Sequence, residues 1–107
     1  MAVINPVSAT SAGLNIATGG TAAAAGGDTI PNGAGDVAIY VTNANGGAAR
    51  TVTIDGIPDL PINIPLSSSR LIGPAGLKKY NDASGQLRLS YSDSGADITV
   101  LPIKMRS

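Results

Sequence analysis

Any chemistry in this chain has to come from Asp, Lys, Tyr or Ser, because its 107 residues include no His, no Cys and no Glu. Two pairs of acids stand close in sequence, Asp55 with Asp59 and Asp93 with Asp97. Paired carboxylates can do glycosidase work when they face each other across a cleft. Here each pair flanks a single bend, where Asp is favoured simply for forming turns. The Asp93-x-x-x-Asp97 spacing also lacks the dense oxygen ligands of a calcium loop. Asp82, between Asn81 and Ser84, fits an Asx-type turn. Lys78-Lys79-Tyr80 carries the one like-charged doublet, too little for a nucleic-acid surface, which wants more cations and stacking rings. Gly33-Ala34-Gly35 has neither the lysine nor the helix start of a phosphate loop. The reading is a non-enzyme: no catalytic residue, no cofactor-binding residue and no metal ligand is assigned, and no cofactor is expected.

What must position these residues is one small domain, since 107 residues leave no room for two. Seven Lys plus Arg balance seven Asp to a formal charge of zero. That balance excludes partners recognised by a basic excess, so neither nucleic acid nor an anionic membrane is expected. Charged residues make up 13% of the chain, about half the usual share. The apolar side chains are small, with no Phe, no Trp and three Tyr, while 14 Gly and 7 Pro punctuate the sequence. Without large rings to bury, the core is marginal, and stability gained from copies of itself or from a larger surface is expected. No stretch reaches the ~18–20 apolar residues of a membrane span. The opening residues lack the cationic and continuous apolar regions of a secretory signal.

Residues 1–35 differ from the rest. They hold no Lys or Arg, a single charge at Asp28, and seven of the fourteen glycines. Short apolar alternations occur at Leu14 and Ile16 and around Ile30, and these three residues are candidate partner contacts on an extended, Gly/Ala-rich N-terminal arm. From residue 36 onward the pattern becomes period two, which indicates half-buried strands. Val37, Ile39 and Val41 share one face, as do Val52 and Ile54, Leu87, Leu89 and Tyr91, and Ile98 and Val100. The Asn-Gly-Gly turn chemistry of residues 43–48 predicts a hairpin joining 36–43 to 50–55. Residues 93–96 predict a second hairpin joining 86–92 to 97–103. Pro58, Pro61 and Pro65 confine 62–64 to an edge strand or loop. Residues 69–73 read as a short strand, and 75–80 as one helical turn. About seven short strands with frequent turns predict an all-β fold, a small antiparallel sandwich or barrel over 36–107. Arg50 and Arg70 at strand starts, and Lys78 and Lys79, join the candidate partner contacts, since Arg suits bidentate contacts across an interface.

The stretch RLIGPAGLKKYNDASGQLRLSYS (residues 70–92) resembles small structural proteins encoded beside the major capsid protein in tailed bacteriophages. Such proteins pair an Ala/Gly-rich entry, here residues 21–35, with a strand like 37–43, an I-G-P…Y-N-D-x-x-G turn and a V/L-x-L/V-x-Y-S strand. The likeness spans roughly residues 21–103, and 72–92 are its specific part. Where that pattern carries aromatics near Pro74, this chain has Ala75-Gly76. The resemblance implies a capsid cement or decoration protein, made in the host cytoplasm and carried on the virion surface. Its partners would be the major capsid protein and its own copies, as a dimer or trimer. The alternative is a binding module of a head or tail fibre that attaches to host glycans.

Overall fold

The computed structural model describes residues 2–8, 20–24, 26–56, 58–92 and 97–105. They form strands β1 (Ala2–Val3), β2 (Val7–Ser8), β3 (Thr21–Ala22), β4 (Asp28–Pro31) and β5 (Val37–Asn43), followed by β6 (Arg50–Ile54), β7 (Leu60–Ile64), β8 (Ser68–Ile72), β9 (Gln86–Tyr91) and β10 (Ile98–Lys104). A 3-10 turn at Lys78–Tyr80 follows β8. One sheet runs β1-β4-β9-β6-β7, and the other runs β2-β10-β5-β8 with β3 also on β10. The seven longer strands, β4 to β10, pair antiparallel. Parallel pairing is confined to the two-residue strands, β1 on β4 and β2 on β10. The architecture is the small all-β sandwich that the alternation predicts.

Period two in the sequence becomes a sealed layer between the sheets. Val37, Ile39 and Val41 from β5, Val52 and Ile54 from β6, Leu87 and Leu89 from β9, and Ile98 and Val100 from β10 all fall in one buried cluster. Each such side chain contributes about 1.5–3 kcal/mol on leaving water. Tyr91 packs at the margin of this cluster. Ile4, Ala23, Ile30, Ile64 and Leu77 complete it among the described residues, and they lie outside the inward sets read on those four strands.

Both expected hairpins are absent, and the correction has one cause. β5 pairs with β10 and β8, whereas β6 pairs with β9 and β7. Residues 44–49 therefore carry the chain across the core from one sheet to the other. β9 and β10 likewise belong to opposite sheets. Asn-Gly chemistry reverses the chain but does not say whether the next strand lies beside the first or opposite it. The hairpin that does exist joins β6 to β7, with Val52 opposite Ile62. As the prolines require, β7 stands at a sheet edge.

Within residues 1–35, expected as an extended arm with one or two short strands, Ile4 and the stretch 28–31 are built into the sandwich. β4 is an interior strand between β1 and β9, with Ile30 opposite Leu87. Ile4 is 6% exposed and donates its N–H to the Thr29 carbonyl at 2.9 Å. A chain without large aromatics fills its core only by recruiting these short apolar stretches. Gly27 makes the entry to β4 possible: its φ is +93°, and a Cβ there would lie 2.5 Å from the Leu89 carbonyl oxygen.

Candidate functional site

Three polar centres stand out, and each is built by the ends of strands. The first is a shallow groove of about 660 Å³ where the bend after β6 meets the 3-10 turn and β9. Asp55, Asp59, Asp82, Lys79, Tyr80 and Arg88 line it. Its acids are engaged by backbone and side-chain donors of the fold. Asp59 Oδ1 accepts from Gly56 N–H at 2.8 Å, and Asp55 Oδ1 accepts from Ser90 Oγ at 3.3 Å. Asp82 Oδ1 accepts from the Ser84 and Gln86 N–H groups at 2.8 and 3.1 Å, while its Oδ2 accepts from Arg88 Nε at 3.1 Å. The Gln86 N–H, then Arg88, then the Ser84 N–H hold the Asp82 carboxyl below its ordinary range. An acid with a depressed pKa is a poor proton donor near neutrality, so Asp82 is not suited to act as a general acid. Lys79 Nζ sits over the Tyr80 ring, 5.5 Å from its centroid. Elsewhere the ring is so close that a Cβ on Gly56 would lie 2.5 Å from it.

The second centre is a buried pair. Asp28 is fully buried, and its Oδ2 accepts from the Tyr91 hydroxyl at 2.6 Å and the Ala24 N–H at 3.1 Å. Burial first, then the hydrogen bond to Asp28, push the Tyr91 phenol far above its usual range. Tyr91 therefore stays neutral and acts as a donor that offsets part of the cost of burying the polar Asp28 side chain.

The third centre closes the sandwich where the arch 44–49 meets the start of β10. Asn43 is fully buried, and its Nδ2 donates to the carbonyls of Ala48, Ile64 and Pro65 at 3.0, 3.2 and 3.3 Å. Its Oδ1 accepts from Asn45 N–H at 2.9 Å. Asn45 continues the chain of contacts: its Oδ1 accepts from the Gly47 and Ala48 N–H groups at 2.7 and 3.0 Å, and its Nδ2 donates to Asp97 Oδ2 at 2.9 Å. Arg50 Nη2 reaches the same Asp97 oxygen at 3.1 Å. Asn45 first, then Arg50, lower the Asp97 pKa. Sequence reading missed this centre, although a signal was present. Asn43 has the same parity as Val37, Ile39 and Val41, so it had to point inward.

The candidate contact residues do not converge. Ile30 is removed from the set, because it is fully buried between the sheets. Arg50 is engaged within its own arch, its side chain 17% exposed. Arg70 lies exposed on β8, with Nη1 donating to the Ser69 carbonyl at 2.8 Å. Lys78 and Lys79 are exposed on the 3-10 turn, the stem of Lys78 close against Gly35. Leu14 and Ile16 lie outside the described residues. Among the described residues, no group of three or more acids is placed to hold a metal ion. No helix there is long and apolar enough to cross a membrane. Comparison with protein-family models, curated proteins and solved structures finds no match.

Proposed function

We propose that this chain is a non-enzymatic virion structural protein that binds the outer surface of a bacteriophage capsid and stabilises contacts between major capsid subunits. The observation that carries the reading is the edge of β8, which pairs with β5 alone among the described residues. This strand ends its sheet, and Ser68–Ile72 contains no proline and no acid. Leu71 on it is 56% exposed, and Leu66 just before it is 50% exposed. An edge strand of this kind, with Arg70 as its one charge, is a template for a strand from another chain. The other long edge, β7, carries Pro61 and is blunted by comparison. The resemblance of residues 72–92 to small phage capsid-associated proteins supplies the identity of the partner. A dimer or trimer would present one such edge per copy, so that attachment to a shell is multivalent. Glycan attachment has less support, because the chain offers three Tyr and no other ring for stacking a sugar, and the Tyr91 hydroxyl is bonded inward.

The test is survival of capsids, assembled without this chain, under heat or osmotic shock at low and high salt. Added protein is expected to protect at both ionic strengths, because main-chain pairing and contact through Leu66 and Leu71 leave little Coulomb attraction to screen. Leu71→Asp should remove protection while changing the stability of the free protein by no more than about 0.5 kcal/mol. Equal survival with and without the protein would overturn the reading. Protection lost at high salt alone would move the contact to Arg70, Lys78 and Lys79.

A further inference from the structure

The chain has two Asn-Gly steps, Asn32-Gly33 and Asn45-Gly46. Asparagine before glycine is chemically labile, because a glycine N–H flanked by no Cβ can attack the preceding side-chain amide. We propose that Asn45 is a self-modification site at which the fold promotes deamidation to aspartate and isoaspartate. The Gly46 nitrogen, having lost its proton to solvent base, bonds to Asn45 Cγ. The Cγ–Nδ2 bond then breaks, and Nδ2 takes up a proton from solvent and leaves as ammonia. Water adds to either carbonyl of the resulting imide and opens it to one of the two acids. No oxidant or further reactant is needed.

Four observations place this chemistry at Asn45. Its Oδ1 is held by the Gly47 and Ala48 N–H groups at 2.7 and 3.0 Å, an arrangement that stabilises the oxyanion formed when Cγ is attacked. Its Nδ2 donates to Asp97 Oδ2 at 2.9 Å, which raises the basicity of the departing nitrogen. The Asp97 charge is balanced by Arg50 at 3.1 Å, so it opposes the developing oxyanion less. Among the described residues, nothing accepts a hydrogen bond from Gly46 N–H, and Gly46 is exposed. Asn32 is the internal control. It is 1% exposed, Val37 N–H alone donates to its Oδ1 at 3.2 Å, and its Nδ2 is tied to Asn81 Oδ1 at 3.0 Å rather than to a carboxylate. Conversion at Asn45 would remove the donor to Asp97 and set a second negative charge beside it, loosening the arch.

The experiment incubates the full chain at mildly alkaline pH, native and in strong denaturant, and follows each Asn by peptide mapping and isoaspartate detection. Native Asn45 should convert roughly tenfold faster than the same residue in the unfolded chain, a modest effect for two oxyanion donors in a wet loop. Asn32 should do the opposite and be protected by folding. Gly46→Ala should suppress conversion without disturbing the fold, because a Cβ there meets nothing nearer than Ser67 Oγ at 3.6 Å. Asp97→Asn should slow it while leaving Asn32 unchanged. Native Asn45 converting no faster than unfolded Asn45, or more slowly than native Asn32, would overturn the proposal.

Discussion

β5 is entered through Asn32-Gly33 and left through Asn45-Gly46, and the two ends of this strand are held by different physics. At the entry, Asn32 is sealed inside the sandwich and clasped to Asn81 by reciprocal bonds, Nδ2 to Asn81 Oδ1 at 3.0 Å and Asn81 Nδ2 to the Asn32 carbonyl at 2.7 Å. Both partners are neutral, so no charge is desolvated. At the exit, a buried amide, Asn43, is backed by an open charged layer of Asn45, Asp97 and Arg50. The same dipeptide thus closes a neutral lock at one end and sits beside an ion pair at the other. Burial and partners, not the residue pair, decide whether a labile step is protected.

The largest expected effect that would break this comparison is at the exit. Asn43→Ala leaves the Ala48, Ile64 and Pro65 carbonyls without their side-chain donor and the Asn45 N–H without its acceptor. A loss of about 3 kcal/mol in urea unfolding is expected, since each orphaned buried group costs ~1–3 kcal/mol. In a domain of this size that corresponds to a fall in Tm of roughly 15 °C. A loss under about 1 kcal/mol would show that the arch is held by its charged layer instead. Asn32→Ala should rank next, at about 2 kcal/mol, because it strands the Val37 N–H and frees Asn81. Should it exceed Asn43→Ala, the entry would be the stronger end.

The smallest effect concerns acid, and it separates the ends by charge. Asp97 at the exit and Asp82, next to Asn81 near the entry, both have folded pKa values below the ordinary carboxylate value. A depressed folded pKa means that the stabilisation is fully present above the unfolded value, near pH ~3.9, and is lost as pH falls through the folded one. Thermal stability should therefore hold from neutrality to about pH 5 and decline below about pH 4. Asp97→Asn and Asp82→Asn should each flatten part of that decline, whereas the neutral clasp of Asn32 with Asn81 should contribute none of it. An acid limb unchanged in both variants would place the titrating groups elsewhere.

The inward sets on β5, β6, β9 and β10 were legible because side-chain direction alternates with a fixed period, a property each strand carries by itself. The edge position of β7 was equally legible, since Pro61 removes a ladder donor whatever the surroundings. The candidate contacts were less so. Ile30 reads the same in a solvated arm as in a core strand, and Arg50 shows no trace in sequence of Asp97, 47 residues further along the chain.

Local residues determined where strands run and which face they bury, together with the places where the chain must reverse. Tertiary structure alone decided which strand lies beside which. β5 joins β10 by setting Asn43 opposite Ile98 and Val37 opposite Lys104, partners far apart in sequence. Turn chemistry fits a hairpin and an arch equally well, and the choice falls to the burial of both apolar faces against each other. The same holds for the N-terminal residues, whose two-residue strands have too few bonds to form alone and exist because β4 and β10 are already in place to receive them.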